Sequence, residues 1–453
     1  MWKFNADELA DFARFYGFHY DGINPNALVK EVMIEMERGL AGKSSSLPMI
    51  PSYISPVTRI PSGKTVLALD AGGTNLRTSL IYFHENGEAV AQGTLKTPMP
   101  GTNGQLSADS FFEAIADAAL PLLKDAQIEG IGFTFSYPME ITPDSDGILL
   151  SFSKEVEAPD VIGKAIGHGL RDALAAKDFK YSGPIVMLND TVATLLSGLV
   201  SISPDGEPTR TRNDYKLEKD GGPLIGFILG TGFNTAYPET SIPKIKFNSS
   251  TSPQIVVCET GSFRVRYRGA LDIEYDNTTK NPGTYFLEKA SAGAYLGPLT
   301  LHILKQAVND KVIQFKKSDE FLAIPHLETR HLNEFTHNPL TAQGPIGSLF
   351  APNEGGALAA VQYITSIVTE RGALFSAAVL AAIIKRMDAG FEPYSPVRIA
   401  VEGTTYMLYK GMRRSIESFL HQMLFKNKPR PYVVSPVEQA SLFGAAVAAL
   451  SKK

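Results

Sequence analysis

Two short glycine turns hold the residues best suited to chemistry in this sequence. The first runs Asp70-Ala71-Gly72-Gly73-Thr74-Asn75, with Arg77 just beyond it. Gly72 and Gly73 permit positive φ and let backbone N–H groups come close to an anion. Thr74 adds a hydroxyl, and Asp70, ending an apolar run, could hold Mg²⁺ directly or through water. No Gly-Lys-Ser/Thr follows and the chain returns as a strand, which excludes a Walker-type loop. The second turn, Gly230-Thr231-Gly232, repeats the pattern of two glycines around a hydroxyl. Either turn alone reads equally well as an ordinary hairpin. The pair, each after an apolar strand, points to a clamp that grips a polyphosphate from both sides.

Phosphoryl transfer also needs a proton acceptor placed near the attacking hydroxyl. Asp190 ends GPIVMLND and precedes the helical run TVATLLSGLV. Read locally, that position suits a helix N-cap better than a base. Lys154 and Glu288 read locally as solvated surface groups. The eight histidines show no tight metal-site spacing, and His326, His331 and His337 lie in a polar, surface-like stretch. Cys258 is the single cysteine, so it reads as a small apolar filler in a reducing compartment.

Positioning these groups falls to strands and helices that alternate along the chain, an α/β class. Asn26 could cap a helix with Val29, Val32, Met33, Met36 and Leu40 on one face. Pro48, Pro51, Pro56 and Pro61 make the next segment an ordered connector. Thr65–Asp70 and Leu76–Phe83 read as strands flanking the first turn, and Ser110–Lys124 as a helix despite Pro121. Pro223–Glu239 restarts the strand–turn–strand unit, a weak internal duplication. Tyr285–Gln306 reads as one amphipathic helix, Leu358–Met387 as a long helical region, PVRIAVEG as a strand and Ala440–Leu450 as a closing helix.

The 453 residues, 44% hydrophobic and 20% charged, can bury a sizeable core and favour more than one lobe. A net charge of −4 without a dense basic run argues against nucleic acid and anionic membrane as partners. Asp7, Glu8 and Asp11 interrupt the first apolar positions, so no signal peptide is expected. The apolar stretch Ala373–Ile384 falls short of the roughly 20 residues of a membrane span and reads as a buried helix. The expectation is a soluble, cytoplasmic protein.

With these segments the sequence resembles the hexokinase family, of the type that includes eukaryotic glucokinases, within the actin-like ATPase superfamily. The likeness runs through LALDAGGTNLR, IGFTFSYP, LLSFSKE, LNDTVATLLSG, GFILGTGFNTAYPE, ETGSF, NPGTYFLEKASAGAYLG and IAVEGTTY, in the family's order. It implies a two-lobed, actin-like (ribonuclease H-like) α/β fold around a deep cleft. Residues 1–63 would be a helical segment and connector packed on the large lobe. Residues 64–188 would form the small lobe, completed by 440–453, and residues 189–439 the large lobe. The implied reaction moves the γ-phosphoryl group of ATP, with Mg²⁺, to the 6-hydroxyl of a hexose, D-glucose above all, the first step of glycolysis. A monomer or weak dimer is expected.

Carried over by position, the resemblance puts Asp70, Gly72, Gly73, Thr74, Asn75 and Arg77 in the first phosphate segment, with Asp70 holding Mg²⁺ through water. Gly230, Thr231 and Gly232 would form the second, and Gly403 and Thr404 would lie near the adenosine. Ser136, Ser153 and Lys154 would contact the sugar from the small lobe, and Asn189, Asp190, Asn234, Glu259 and Glu288 from the cleft and large lobe. Asp190 would be the catalytic base, and Lys154 would bring positive charge to the transferring group. The chain departs from the family at Ser153 (usually Thr, after a Trp where Phe152 stands), Thr260 (usually Trp), Arg264 (usually small) and Met407 (often Lys). Three other readings compete: a related kinase for another sugar or donor, a nucleotide-driven switch, and a sugar sensor without turnover. FTFSYP and NPGTYFLEK speak against the switch, and the intact Asp190 and phosphate turns against the sensor.

Overall fold

A computed structural model describes residues 2–57, 60–152, 156–203, 222–245, 253–340, 344–426 and 428–451. The chain builds two sheets on one plan. The first runs, edge to edge, Ile185–Leu188, Ile131–Phe135, Lys64–Ala71, Asn75–Phe83, Glu88–Pro98 and Ser201–Ser203. The second runs Tyr432–Pro436, Val397–Glu402, Leu224–Leu229, Phe233–Glu239, Gln254–Val257 and Ile50–Pro51. In both, the third strand is parallel to the second and antiparallel to the fourth, so each glycine turn closes the same hairpin. Only the last pair, the fifth and sixth strands, differs, parallel in the first sheet and antiparallel in the second. The duplication hinted at by the two strand–turn–strand units thus extends over most of both sheets.

Strand alternation sends successive side chains to opposite faces, and each face meets its own core. Leu67 and Leu69 join an apolar cluster with the helices Ala108–Leu123 and Ile166–Ala176. Val66 and Ala68 join another that lies between the sheets and holds the helices Asp190–Ser197 and Ala440–Ser451. The far side of the second sheet packs against Ala6–Phe15, Pro25–Leu40 and Gly355–Arg386. The Ala440–Ser451 helix fits so closely that a Cβ on Gly132 would stand 1.9 Å from the Ala445 carbonyl oxygen. A Cβ on Gly444 would stand 2.0 Å from the Ala193 carbonyl oxygen. Bare backbone is what lets this helix join the two lobes.

Several local expectations shift. Asn24, not Asn26, caps the Pro25–Leu40 helix, its Oδ1 accepting from the N–H of Asn26 (3.0 Å) and Ala27 (3.1 Å). Pro25 is the reason, since its ring presets the first helical φ and needs no donor there. The single helix expected at Tyr285–Gln306 is two, Phe286–Ser291 and Leu296–Asn309. They part where the Gly293 N–H turns out to the Gly230 carbonyl at 2.7 Å. The apolar stretch 373–384 belongs to the 32-residue helix Gly355–Arg386, long enough by composition to cross a membrane, yet 94% of its most apolar window is buried within the protein. Inside it Arg371, 1% exposed, makes a bidentate pair with Asp272 at 2.6 Å. Such a pair is costly to break because removing one partner strands the other charge.

Candidate active site

The first turn joins Lys64–Ala71 to Asn75–Phe83. Asp70 and Arg77 are register partners across this hairpin, and the guanidinium lies 2.5 Å from Asp70 Oδ2. That contact is close enough for an ion pair, yet the buried oxygen has no aligned hydrogen-bond donor. Burial raises the Asp70 carboxyl above the usual carboxylate range; Arg77 opposes this and the charge of Asp190 adds to it. The Tyr137 hydroxyl donates to the Gly72 carbonyl (3.0 Å), and Asn75 Nδ2 donates to the Thr74 hydroxyl (2.8 Å). Gly73 lies in the same turn, and Thr74 is exposed. Ser136 follows the neighbouring strand, its N–H donating to Ala71 O at 3.0 Å. Ser153 and Lys154 lie outside the described residues.

Asp190 opens the Asp190–Ser197 helix, but the cap is Asn189, whose Oδ1 accepts from Thr191 N–H at 2.8 Å. The capping role that local sequence assigned to Asp190 therefore falls to its neighbour. Asp190 stands in the first turn, half-buried, where the helix dipole favours a negative charge. Its carboxylate accepts from the Thr191 hydroxyl (3.2 Å).

The second turn joins Leu224–Leu229 to Phe233–Glu239 and is walled in. The Thr405 hydroxyl donates to the Gly230 carbonyl at 2.8 Å, and Ala294 N–H to the Thr231 carbonyl at 3.1 Å. Gly403 takes φ +122°, and a Cβ there would stand 2.4 Å from Leu229 O. Thr231 and Thr404 line a cavity of about 350 Å³. Its far wall includes Thr329, Arg330 and Asn333, none of them singled out from sequence. Their helix carries two of the histidines from the polar stretch read as surface, so polarity alone concealed this wall.

Beyond the second turn lie three of the expected sugar residues, Asn234, Glu259 and Glu288, held by two separate hydrogen bonds. Asn234 Nδ2 donates to Glu259 Oε1 (2.9 Å), and Glu288 Oε2 accepts from Phe233 N–H (3.0 Å). Burial raises the Glu259 carboxyl; the Asn234 amide opposes it, and the charges of Asp190 and Glu288 add to it. Glu288 is also raised by burial, against the pull of Phe233 N–H and Lys289. Glu259 itself sits at φ +55°, in the left-handed region rare for a non-glycine residue. Where the family usually has tryptophan, Thr260 is buried and shares a hydroxyl hydrogen bond with Thr235 at 2.6 Å.

A fifth carboxyl completes the group and went unassigned in the sequence. Glu402 ends the Val397–Glu402 strand, pairs in register with Ile228, and accepts from the Thr194 hydroxyl at 3.3 Å. It is pushed up to about 7, first by burial and then by the charge of Asp190, with Asp70 adding less. Its sequence signal was an acid at the end of an apolar strand, next to glycine, a near match to Asp70, which stands one residue further from its glycines. Asp190 is thus the common neighbour: its charge acts on Asp70 and Glu402 on the phosphate side and on Glu259 on the sugar side.

With this geometry in hand, comparison with known proteins is consistent across the chain. Family models described as hexokinase match residues 16–200 and 224–451. Hexokinase-2 of Candida albicans is 27% identical over 94% of this chain and 89% of its own length. Hexokinase-1 of Saccharomyces cerevisiae is 27% identical over 96% and 90%. In structure, a hexokinase from Schistosoma mansoni solved in complex with glucose aligns with a TM-score of 0.74 at 23% identity, over 99% of this chain and all of that one.

Proposed function

The chain belongs to the hexokinase family and is an ATP-dependent sugar kinase that phosphorylates a hexose; from that premise we propose that Asp190 is its general base and the 6-hydroxyl of D-glucose its preferred acceptor. What supports this reading is where Asp190 stands, half-buried in the first turn of the Asp190–Ser197 helix, its charge adding to burial in raising both Asp70 beside the first glycine turn and Glu259 among the sugar residues. A hexose held by Asn189, Asn234, Glu259 and Glu288 would present a hydroxyl to the Asp190 carboxylate, which takes its proton as the oxygen attacks phosphorus. Such buried polar partners discriminate steeply, because an unmatched group costs about 1–3 kcal/mol. Backbone N–H groups of the two turns would hold the polyphosphate in line. The glucose preference draws on the glucose-bound Schistosoma relative and on a glucokinase among the yeast homologues.

Asp70, a buried carboxyl beside the first turn that already faces the Arg77 guanidinium, has the oxygen chemistry a hard cation needs and would hold Mg²⁺ through water. When bound, the ion would neutralise charge on the phosphate oxygens. Lys154 would add positive charge from the small lobe.

The test is Asp190→Ala. Turnover should fall by about 10²–10⁴-fold or more, with nucleotide binding retained; persistent turnover would remove Asp190 as the base. Sugar-dependent ADP formation across glucose, mannose, fructose and a pentose then ranks the acceptors, and a first rank for any sugar but glucose overturns the preference.

A further inference from the structure

A larger cavity, about 600 Å³, adjoins the one beside Thr231 and shares Ala294 and His326 with it. It opens between the end of the Ala270–Thr278 helix, the loop that follows, and one face of the Leu296–Asn309 helix. Lys280, Lys289, Lys305 and His302 line it, and no described lining residue is an Asp or Glu. The charges differ in how they are met. Lys289 is buried and spends its charge on Asp276, which also pairs with Arg268 at 2.9 Å. Lys305 Nζ donates to the Ile324 carbonyl (2.6 Å), a neutral acceptor that leaves its charge uncompensated. Lys280 is exposed at the mouth and has no ion pair with a described residue. His302 Nε2 is buried and makes no hydrogen bond, with Glu274 at 3.5 Å as the nearest acid.

Tyr275 and Tyr295 also line the cavity. Burial raises both phenols, with help from Tyr295 and Asp276 at the first and from Glu288 at the second. They remain neutral, offering ring faces and O–H donors rather than negative charge. A cavity of this size matches the volume of small-molecule sites, and its lining is richer in cations and donors than most, with no described acid in it. Cations of this kind favour phosphate, which takes several charge-assisted hydrogen bonds at once.

We propose that this cavity binds a phosphate-bearing small molecule, separately from the two phosphate turns. Through the shared Ala294 and His326 its occupant would border the nucleotide cavity and change nucleotide affinity. Binding itself stands apart from the kinase reading; only this coupling rests on it.

The experiment uses the full chain and inorganic tripolyphosphate as probe, titrated by calorimetry at about 0.15 M salt to damp long-range attraction. AMP-PNP, a non-hydrolysable ATP analogue, is added to saturation to fill the catalytic cleft. One equivalent of tripolyphosphate should still bind. K280E/K305Q should weaken it by at least about tenfold, with melting temperature, AMP-PNP affinity and hexose phosphorylation unchanged; Lys305→Arg should keep most of the binding. Equal binding by the double variant overturns the site, as does binding seen only without AMP-PNP. Should AMP-PNP itself fail to bind, the kinase reading is at fault, and the double variant still decides this cavity in the nucleotide-free chain.

Discussion

The two glycine turns close equivalent hairpins in equivalent sheets, but their surroundings differ. Around Gly230–Gly232 the carbonyl of Gly230 accepts from Gly293 N–H (2.7 Å) and the Thr405 hydroxyl (2.8 Å). A Cβ on Gly232 would stand 2.9 Å from Glu288 Oε2. Around the first turn there is room: a Cβ on Gly72 would meet nothing nearer than Asn75 O at 3.5 Å, an ordinary contact. Its tethers are the Tyr137 hydroxyl and the Thr74 carbonyl, which accepts from Met99 N–H at 3.0 Å. One fold therefore supplies two kinds of jaw. The second turn is a fixed wall that shares its supports with the sugar residues, and the first is an adjustable partner on the smaller lobe.

The comparison breaks most readily at Gly403. Gly403→Ala puts a side chain into the Leu229 carbonyl at a φ that only glycine adopts freely. It should cost roughly 3–5 kcal/mol, read as a lower midpoint in urea unfolding. A loss below about 1 kcal/mol would mean that the wall is not fixed.

Glu402 sharpens the same contrast through pH. Its folded pKa of about 7 lies above the unfolded value of 4.5, so the folded state holds the proton more tightly. Stability is then fully present below about pH 4.5 and is lost as pH rises through 7, by up to about 3 kcal/mol. Glu402→Gln should flatten that fall between pH 5 and 8; an unchanged slope would take Glu402 out of the group. Lobe closure is a smaller effect. Solution scattering with saturating hexose should show compaction as the first turn swings toward the second, and an unchanged envelope argues against an adjustable jaw. Smallest of all, Gly72→Ala should shift stability by no more than about 0.5 kcal/mol in the same urea titration. A loss as large as that at Gly403 would erase the distinction.

What could be read from sequence was what chemistry makes local. Gly-Gly-Thr and Gly-Thr-Gly after apolar strands announce a hairpin within a few residues, as the alternation of strand and helix announces the fold class, but the positive φ they would permit is not used at Gly72, Gly230 or Gly232. Asp190 was harder, since Asn and Asp cap helices equally well and a shift of one residue decides which is left for other work. Glu402, Thr329 and Asn333 gain meaning only from partners far away in the chain, such as Thr194 and Leu408. No window of local pattern contains those partners. The break at Gly293 was missed for the same reason, because its cause is a carbonyl in another hairpin.

The Ala440–Ser451 helix, seated between the sheets, also carries a consequence for biosynthesis. The first sheet is complete once Ser203 has left the ribosome, but its inner face is only partly covered, by the Asp190–Ser197 helix, until the Ala440–Ser451 helix emerges. At about 5–20 residues per second, a nascent chain would hold that greasy surface partly uncovered for tens of seconds, a natural moment for a chaperone to attend it.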